Sequence, residues 1–194
     1  MNAERKLGQC VIISAPSGAG KTTIVHHLLK AGLNLEFSIS ATSRPLRAGE
    51  VNGHDYHFLT EDDFRSRKEK GEFVEWEEVY PGSFYGTLHS ELERIWSNGH
   101  FVLFEVDVFG GLKLKKIFGD KALSLFIMPP SVEALEQRLR KRSTDTEESM
   151  QKRIDKAILE MEQSHLFDKI VVNEDLELAL SASYAVVNEF LNPE

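Results

Sequence analysis

Short apolar runs alternate with helix-forming stretches along most of this chain. Four of the runs predict buried strands because they are rich in β-branched and large apolar residues: QCVIIS, HFVLFEVD, ALSLFIM and KIVVN. Helices are predicted at about residues 21–30, 131–142, 147–164 and 176–191. Buried strands joined by helices imply an α/β fold, in which right-handed crossovers build a parallel sheet flanked by helices. A chain of 194 residues is the length of one such domain.

A different pattern interrupts this alternation between residues 37 and 85. The segments FSISAT (37–42), DYHFLT (55–60) and EFVEWEEVY (72–80), and the residues around Tyr85, are typical of short strands. Thr60 with Asp63 predicts the N-cap of a helix that ends near residue 70, and another helix is expected at 90–97. These short strands indicate an inserted β-rich subdomain. One apolar stripe of the helix at 147–164 is expected to face the core: Met150, Ile154, Ile158 and Met161.

Charge and cysteine content limit the kinds of partner. Lys and Arg number 23 against 31 Asp and Glu, giving a net charge of −8, which argues against a broad basic surface for nucleic acid. No apolar run approaches the roughly 20 residues needed to span a bilayer, so no membrane partner is expected. Cys10 is the single cysteine and cannot form an internal disulfide, which fits a reducing compartment. We therefore expect a cytoplasmic protein, either a monomer or a homodimer.

The segment APSGAGKTT (15–23) lies between the first predicted strand and the first helix. It fits the pattern G-x-x-x-x-G-K-[ST] at Gly20, Lys21 and Thr22, although Ala15 stands where the pattern begins with glycine. Backbone N–H groups at a helix N-terminus can surround phosphate, while the lysine reaches the β- and γ-phosphates and the threonine hydroxyl binds Mg²⁺. The alternative is a glycine-rich turn that binds nothing. Its placement and its Gly-Lys-Thr ending favour a nucleoside triphosphate site, with these predicted contacts: Ala15, Pro16, Ser17, Gly18, Ala19, Gly20, Lys21, Thr22 and Thr23.

A restrained polar loop, SATSRPLRAGEVNGHDYHF (40–58), carries Arg44 and Arg47, with Tyr56 just beyond. Guanidinium groups and a phenolic hydroxyl are hydrogen-bond donors suited to phosphate. Two surface arginines alone are more often solvated than functional, but a preceding phosphate-binding loop favours a second phosphate site. Glu75, in FVEW (73–76), has large apolar neighbours and is either a charge at a strand edge or a buried acceptor.

The sequence resembles guanylate kinase almost from end to end. The resemblance is carried by APSGAGKTT, the double-arginine loop, FVEW, SFYGT (83–87), FEVD (104–107), MPPSVEALEQRLRKRSTDTEESMQKRI (128–154) and KIVVNEDL (169–176). The double-arginine loop is the most specific of these, because unrelated NTPases share the phosphate loop. The resemblance implies a P-loop NTPase core made of residues 7–36, 98–130 and 165–194. It also implies a GMP-binding subdomain at about 37–90 and a helical lid at about 131–160.

By this resemblance, the chain transfers the γ-phosphoryl group of ATP to GMP in the presence of Mg²⁺, giving ADP and GDP. Four residues are then expected to hold the GMP phosphate: Arg44, Arg47, Tyr56 and Tyr85. Three others are expected to line the guanine pocket: Ser40, Glu75 and Thr87. A carboxylate can accept from guanine N1 and N2, and hydroxyls can donate to O6, whereas adenine presents a different edge and should be rejected.

The resemblance also implies roles around the transferred phosphoryl group. Glu105 and Asp107 end a buried strand, and we assign Asp107, with Thr22, to the magnesium side and Glu105 to the GMP side. Charge on the phosphoryl group would be neutralised by Lys21, Arg44 and the lid arginines: Arg138, Arg142 and Arg153. These lid arginines could otherwise form a solvated helix face. Asn173 matches a position near adenine, although a turn-forming asparagine fits equally well. The family commonly has glutamine where Phe109 stands and glycine where Ser143 stands.

Two other functions stay open on the sequence alone. One is a scaffold domain of the same fold that has lost catalysis, against which the intact Gly20, Lys21 and Thr22 argue. The other is a kinase that phosphorylates a sugar phosphate. Glu75 discriminates against this second alternative, because a sugar phosphate has no guanine edge to satisfy.

Overall fold

Two β-sheets organise the part of the chain that the computed structural model describes, residues 8–142 and 146–193. The larger sheet is parallel, and its strands lie in this order: β2 (Leu35–Phe37), β7 (Phe101–Val106), β1 (Cys10–Ser14), β8 (Ala122–Met128) and β9 (Lys169–Val172). The smaller sheet has this order: β4 (His57–Phe58), β3 (Ala41–Thr42), β6 (Ser83–Leu88) and β5 (Phe73–Tyr80). Strand β6 is antiparallel to both of its neighbours. The predicted α/β fold with a parallel sheet is confirmed.

Helices cover both faces of the parallel sheet. The helices are α1 (Lys21–Lys30), α2 (Glu61–Glu69), α3 (His89–Ser97), α4 (Val108–Phe118), α5 (Val132–Arg142), α6 (Glu147–Glu162) and α7 (Leu176–Leu191). On one face, α1 and α7 pack on the sheet through residues such as Leu28 and Val187, and on the other α3 and α4 pack through Ile95 and Leu114. All five residues of β1 are buried, and each large apolar side chain there contributes about 1.5–3 kcal/mol through burial. No helix of the described residues is both long and apolar enough to cross a membrane.

The smaller sheet has an apolar cluster of its own. Phe64 of α2 stacks on Phe73 of β5, with ring centroids 4.3 Å apart, and also contacts Phe84 of β6. The predicted N-cap at Thr60 is confirmed, since its hydroxyl oxygen accepts from the Asp63 backbone N–H at 3.1 Å. Such a cap stabilises a helix by about 1 kcal/mol. Helix α2 therefore packs on one face of the small sheet and buries its apolar side chains.

Two of the predicted strands differ in the structure. FSISAT is not one strand: Phe37 ends β2 in the large sheet, whereas Ala41–Thr42 forms β3 in the small sheet. The alternation within a short run does not reveal which strand will pair with it. DYHFLT contributes only His57–Phe58, because its partner β3 is equally short.

Helix α4 was not predicted from the sequence, because Gly110 and Gly111 lower helix propensity at its start. The structure shows why glycine is needed: a Cβ on Gly111 would lie 2.3 Å from the Ser14 hydroxyl oxygen of β1. The predicted stripe of α6 also needs one correction. Ile158 is half-exposed, and Ala157 is buried in the apolar cluster with Ile154 instead. The buried face of the helix is therefore centred one residue away from the predicted stripe.

Candidate active site

The phosphate loop connects the carboxyl end of β1 to the N-terminus of α1. Gly18 and Gly20 have φ of 88° and 94°, in the left-handed region that favours glycine. A Cβ on Gly20 would also lie 2.3 Å from the side-chain nitrogen of Asn173. Ala15 is buried and has no positive φ, since Asn34 is the only non-glycine residue of the described chain in that region. The alanine at the first position of the pattern therefore adds no backbone strain.

Lys21 and Thr22 begin α1 and both face the end of β7. The Lys21 ammonium group donates to the Val106 carbonyl at 2.9 Å and lies 3.8 Å from the Glu105 carboxylate. The Thr22 hydroxyl donates to Glu105 at 2.7 Å. Burial lowers the pKa of Lys21, while the negative charges of Glu105 and Asp107 oppose that shift. The Lys21 ammonium group and the hydrogen-bonded Thr22–Glu105 pair thus lie together at the N-terminus of α1.

Asp107 lies at the junction between β7 and the next helix. It is the N-cap of α4, where its carboxylate accepts from the Gly110 backbone N–H at 2.7 Å. Its carbonyl oxygen accepts from the Ser14 hydroxyl at 3.1 Å. The Thr22 hydroxyl is hydrogen-bonded to Glu105, the residue that we assigned to the GMP side. Asp107 still lines both the phosphate loop and the main cleft.

Arg44, in the double-arginine loop, is held by a hydrogen bond, an ion pair and an aromatic ring. Its guanidinium donates to the Tyr85 hydroxyl at 3.1 Å and forms a two-pronged ion pair with Glu50 at 2.7 and 2.6 Å. The Tyr56 ring lies under the same guanidinium, 5.0 Å away. Glu50 also accepts from the Arg47 backbone N–H at 2.8 Å. The two arginine contacts lower the pKa of Glu50 to about 2, so it is a carboxylate at neutral pH.

Glu75 and Thr87 face each other across the β5–β6 pair. The Thr87 hydroxyl, which is 1% exposed, donates to the Glu75 carboxylate at 2.9 Å. Burial raises the pKa of Glu75 to about 7, against the lowering effect of the Thr87 hydrogen bond. Glu75 lies on the edge strand of the small sheet, is half-buried and lines the cleft, where its carboxylate can act as an acceptor. Ser40 lines the same cleft as Glu75.

The helices predicted as a lid reach the phosphate loop from the other side. Arg153 of α6 donates to the Ser17 hydroxyl at 2.9 Å. Arg138 of α5 donates to the Asn173 carbonyl at 2.9 Å, and the Asn173 side chain donates to the Ala19 carbonyl at 2.7 Å. Asn173 is therefore in contact with the backbone of the phosphate loop. Ser143 and the side chain of Arg142 lie outside the described residues, and Phe109 is half-exposed on the first turn of α4.

A cleft of about 1300 Å³ brings the two predicted substrate sites together. Predicted residues of both sites line it: Ser17, Lys21, Ser40, Tyr56, Glu75, Tyr85, Glu105 and Asp107. Glu50 and Lys156 are among the residues of this cleft that were not predicted from the sequence. A signal for each was present, because Glu50 lies three residues after Arg47 in the same loop. Lys156 follows Arg153 by three residues and so lies on the same helix face.

A guanylate kinase family model matches residues 7–191. The chain belongs to the guanylate kinase family. It is 50% identical to the guanylate kinase of Bacteroides thetaiotaomicron over 187 residues, which cover 96% of this chain and 92% of that protein. It is also 50% identical to the guanylate kinase of Porphyromonas gingivalis, over 93% of this chain and 97% of that protein.

A solved structure agrees with this family assignment. The crystal structure of guanylate kinase from Anaplasma phagocytophilum superposes with a TM-score of 0.75 at 29% identity, covering 96% of this chain and 87% of that chain. The resemblance found in the sequence is confirmed, and the chain is a kinase. Membership in the guanylate kinase family also argues against the sugar phosphate alternative.

Proposed function

We propose that this chain transfers the γ-phosphoryl group of ATP to GMP, giving ADP and GDP, in the 1300 Å³ cleft. The observation that carries the proposal is that one cleft is lined by the phosphate-loop Lys21 and by the half-buried Glu75. The first suits a triphosphate, and the second suits the N1 and N2 donors of guanine. The two substrates would therefore meet with their phosphates between them.

The donor side consists of the phosphate loop and the residues that contact it. The loop N–H groups and the helix α1 dipole attract the triphosphate, and Lys21 adds a positive charge near the β- and γ-phosphates. Arg153 already contacts Ser17 of the loop, which supports its predicted role of neutralising charge on the transferred group. The Asn173 side chain stabilises the loop by donating to the Ala19 carbonyl, and Arg138 holds Asn173 by donating to its carbonyl.

The chemistry of the donor set fits Mg²⁺. Thr22 supplies a hydroxyl and Glu105 a carboxylate, which is the oxygen ligand class that Mg²⁺ prefers. We therefore assign Glu105, beside Thr22, to the magnesium side, and keep Asp107, which lines both the phosphate loop and the cleft, between the two substrates. When bound, Mg²⁺ supplies neutralisation of charge between the β- and γ-phosphates. Asp107 would in turn add negative charge near Glu75, whose pKa it raises.

The acceptor side consists of a phosphate site and a base pocket. Arg44, Arg47, Tyr56 and Tyr85 are the donors for the GMP phosphate. Glu50 is the carboxylate that keeps Arg44 beside Tyr85. In the base pocket, Glu75 accepts from guanine and the Ser40 hydroxyl donates to O6, while the Thr87 hydroxyl donates to Glu75 and orients its carboxylate. AMP would leave these buried groups unpaired, which typically costs 1–3 kcal/mol per group.

The protein needs no nucleophile of its own for this reaction. A GMP phosphate oxygen attacks the γ-phosphorus of ATP, and the bond from that phosphorus to the bridging oxygen of ADP breaks. The chain supplies positioning and electrostatic stabilisation of the charge on the transferred group. We also propose that residues 131–160 act as a lid over the core and residues 37–90 as the GMP-binding subdomain. Closure of these parts would exclude water, which would otherwise hydrolyse ATP.

An ADP-release assay on the purified protein tests the proposed function. ATP with Mg²⁺ is supplied with GMP, AMP, UMP, CMP or ribose 5-phosphate, one acceptor at a time. We expect rapid turnover with GMP and at least 100-fold lower kcat/KM with AMP, since mispaired polar groups discriminate strongly. The Lys21→Ala variant serves as the inactive control. Turnover with ribose 5-phosphate and none with GMP would overturn the proposal, and no turnover with any acceptor would favour the scaffold alternative.

A further inference from the structure

Glu160, in the last turns of α6, is a buried carboxylate outside the predicted site. It is 4% exposed. Removing a carboxylate from water costs several kcal/mol, so such a group is retained only where neighbouring charges compensate for it. Burial raises the pKa of Glu160, and the nearby charge of Asp107 raises it further, whereas Lys156 and Lys21 lower it. Glu160 is thus surrounded by charges that belong to the cleft.

The ion-pair partner of Glu160 is Lys156, one turn earlier on the same helix. Its ammonium group lies 3.6 Å from the Glu160 carboxylate. The order of the pair, with lysine N-terminal to glutamate, is the less stabilising one for a helix. A second pair on α6, Lys152 with Glu148, has the favourable order and exposed side chains of 74% and 81%. Helix stability accounts for the second pair and does not account for the first.

Lys156 projects into the cleft near the phosphate loop. It lines the cleft together with Lys21, Glu105 and Asp107, and its charge lowers the pKa of Lys21. Arg153, three residues earlier on the same face of α6, contacts the loop directly through Ser17. The ammonium groups of Lys156 and Lys21 therefore repel each other in the free protein. An anion bound between them relieves that repulsion and is attracted by both.

We infer that Lys156 is a further phosphate-contacting residue of the kinase reaction and that Glu160 is the positioning residue that holds its ammonium group at the cleft. This inference rests on the proposed function. As the transferred phosphoryl group moves, its negative charge spreads over its oxygens, and a fixed cation beside them stabilises that charge. Lys156 therefore acts from the α6 side of the cleft, opposite Lys21 on α1.

Single variants on α6 test the inference. Lys156→Met removes the charge and keeps the unbranched apolar part of the side chain, and Lys152→Met makes the same change at the exposed pair. We expect Lys156→Met to lower kcat by about 10- to 100-fold with the KM for GMP changed less than threefold. The Lys152→Met control should stay within twofold of wild type. Equal kcat in the two methionine variants would overturn the role of Lys156.

A double-mutant cycle tests the positioning role of Glu160. Glu160→Gln should lower kcat less than Lys156→Met does, and the double variant should be no slower than Lys156→Met alone, because both changes act through one ammonium group. Thermal melts should show that Glu160→Gln is at least as stable as wild type, so a loss of activity cannot come from unfolding. Independent, multiplying effects in the cycle would contradict the positioning role.

A binding measurement separates this inference from the proposed function. Titration calorimetry with a non-hydrolysable ATP analogue and Mg²⁺ needs no acceptor and no turnover. We expect Lys156→Met to bind the analogue at least fivefold more weakly than Lys152→Met. Weaker binding in a protein that does not phosphorylate GMP would support Lys156 and refute the proposed function. Equal binding in a protein that does phosphorylate GMP would leave the function intact and refute the phosphate contact.

Discussion

Replacing Glu75 by glutamine separates recognition of guanine from stability of the fold. The side-chain volume is kept, but the charge is lost and one acceptor oxygen becomes an N–H donor. That donor would face a donor of guanine. Charged hydrogen bonds contribute roughly 1.5–3 kcal/mol each, and a mispaired buried group adds a penalty. We therefore expect kcat/KM for GMP to fall by about two to three orders of magnitude, with ~1.4 kcal/mol for each factor of ten.

The same change should stabilise the free protein, because the pKa of Glu75 is raised from 4.5 to about 7 by burial. The folded protein binds this proton more tightly than the unfolded chain does. The carboxylate therefore costs nothing below pH 4.5, and its destabilising effect grows until pH 7 and stays constant above it. At ~1.4 kcal/mol for each pKa unit, the full effect is about 3 kcal/mol. We expect Glu75→Gln to gain up to about 3 kcal/mol at pH 8 and little at pH 4.5.

Two measurements check this reasoning. Steady-state kinetics from pH 5.5 to 8.5 should show kcat/KM for GMP rising through pH 7 in the wild type, as Glu75 ionises, and a flat, low profile in the variant. Urea unfolding at pH 5 and pH 8 reports the stability difference. Glu78→Gln, at an exposed position of β5 whose side-chain oxygen still accepts from the Gly82 backbone N–H, is the control and should leave kcat/KM for GMP unchanged. A wild-type value of kcat/KM in a folded Glu75→Gln protein would place Glu75 outside the guanine pocket.

Three further changes have defined outcomes. Lys21→Ala should lower kcat by at least 100-fold, about 3 kcal/mol, and leave GMP affinity unchanged by calorimetry; wild-type turnover would refute the phosphate-loop assignment. Glu50→Gln weakens the ion pair that holds Arg44, so the KM for GMP should rise several-fold in steady-state assays while kcat changes less, and an unchanged KM would contradict the positioning of Arg44. Gly111→Ala places a methyl group against Ser14 and should cost about 1–3 kcal/mol in urea unfolding, whereas full stability would show that α4 shifts freely.

Local features of this fold were accessible from the sequence because their determinants are contiguous. The strand, glycine-rich loop and helix around Gly20 and Lys21 occupy one stretch of chain, and their apolar periods and glycine positions are visible in order. The Thr60 cap is equally local, since its acceptor and donor are three residues apart. Alternation of buried strands with helices then indicated the parallel sheet, because crossovers of that kind have few alternatives.

Contacts between distant segments were decided by the tertiary structure. Thr22 and Glu105 are 83 positions apart, and only the pairing of β1 with β7 brings them to 2.7 Å. The sequence did not show that Asp107 caps a helix, because Gly110 and Gly111 lower the helix propensity of that segment. Gly111 is required by the close approach of α4 to Ser14, which is a property of packing and not of local preference.

The charged residues of the cleft show most clearly what the sequence determines and what the tertiary structure determines. The pattern around Lys21 indicated a triphosphate, whereas the roles of Arg44 and Glu75 came from the resemblance to guanylate kinase. The raised pKa of Glu75 and the environment of the Lys156–Glu160 pair depend on which groups lose contact with water. The packing of helices and sheets determines which groups are buried. Burial and the distances between charges then determine how strongly those charges interact. A linear sequence therefore determines which charges are present, and the fold determines how strongly they act.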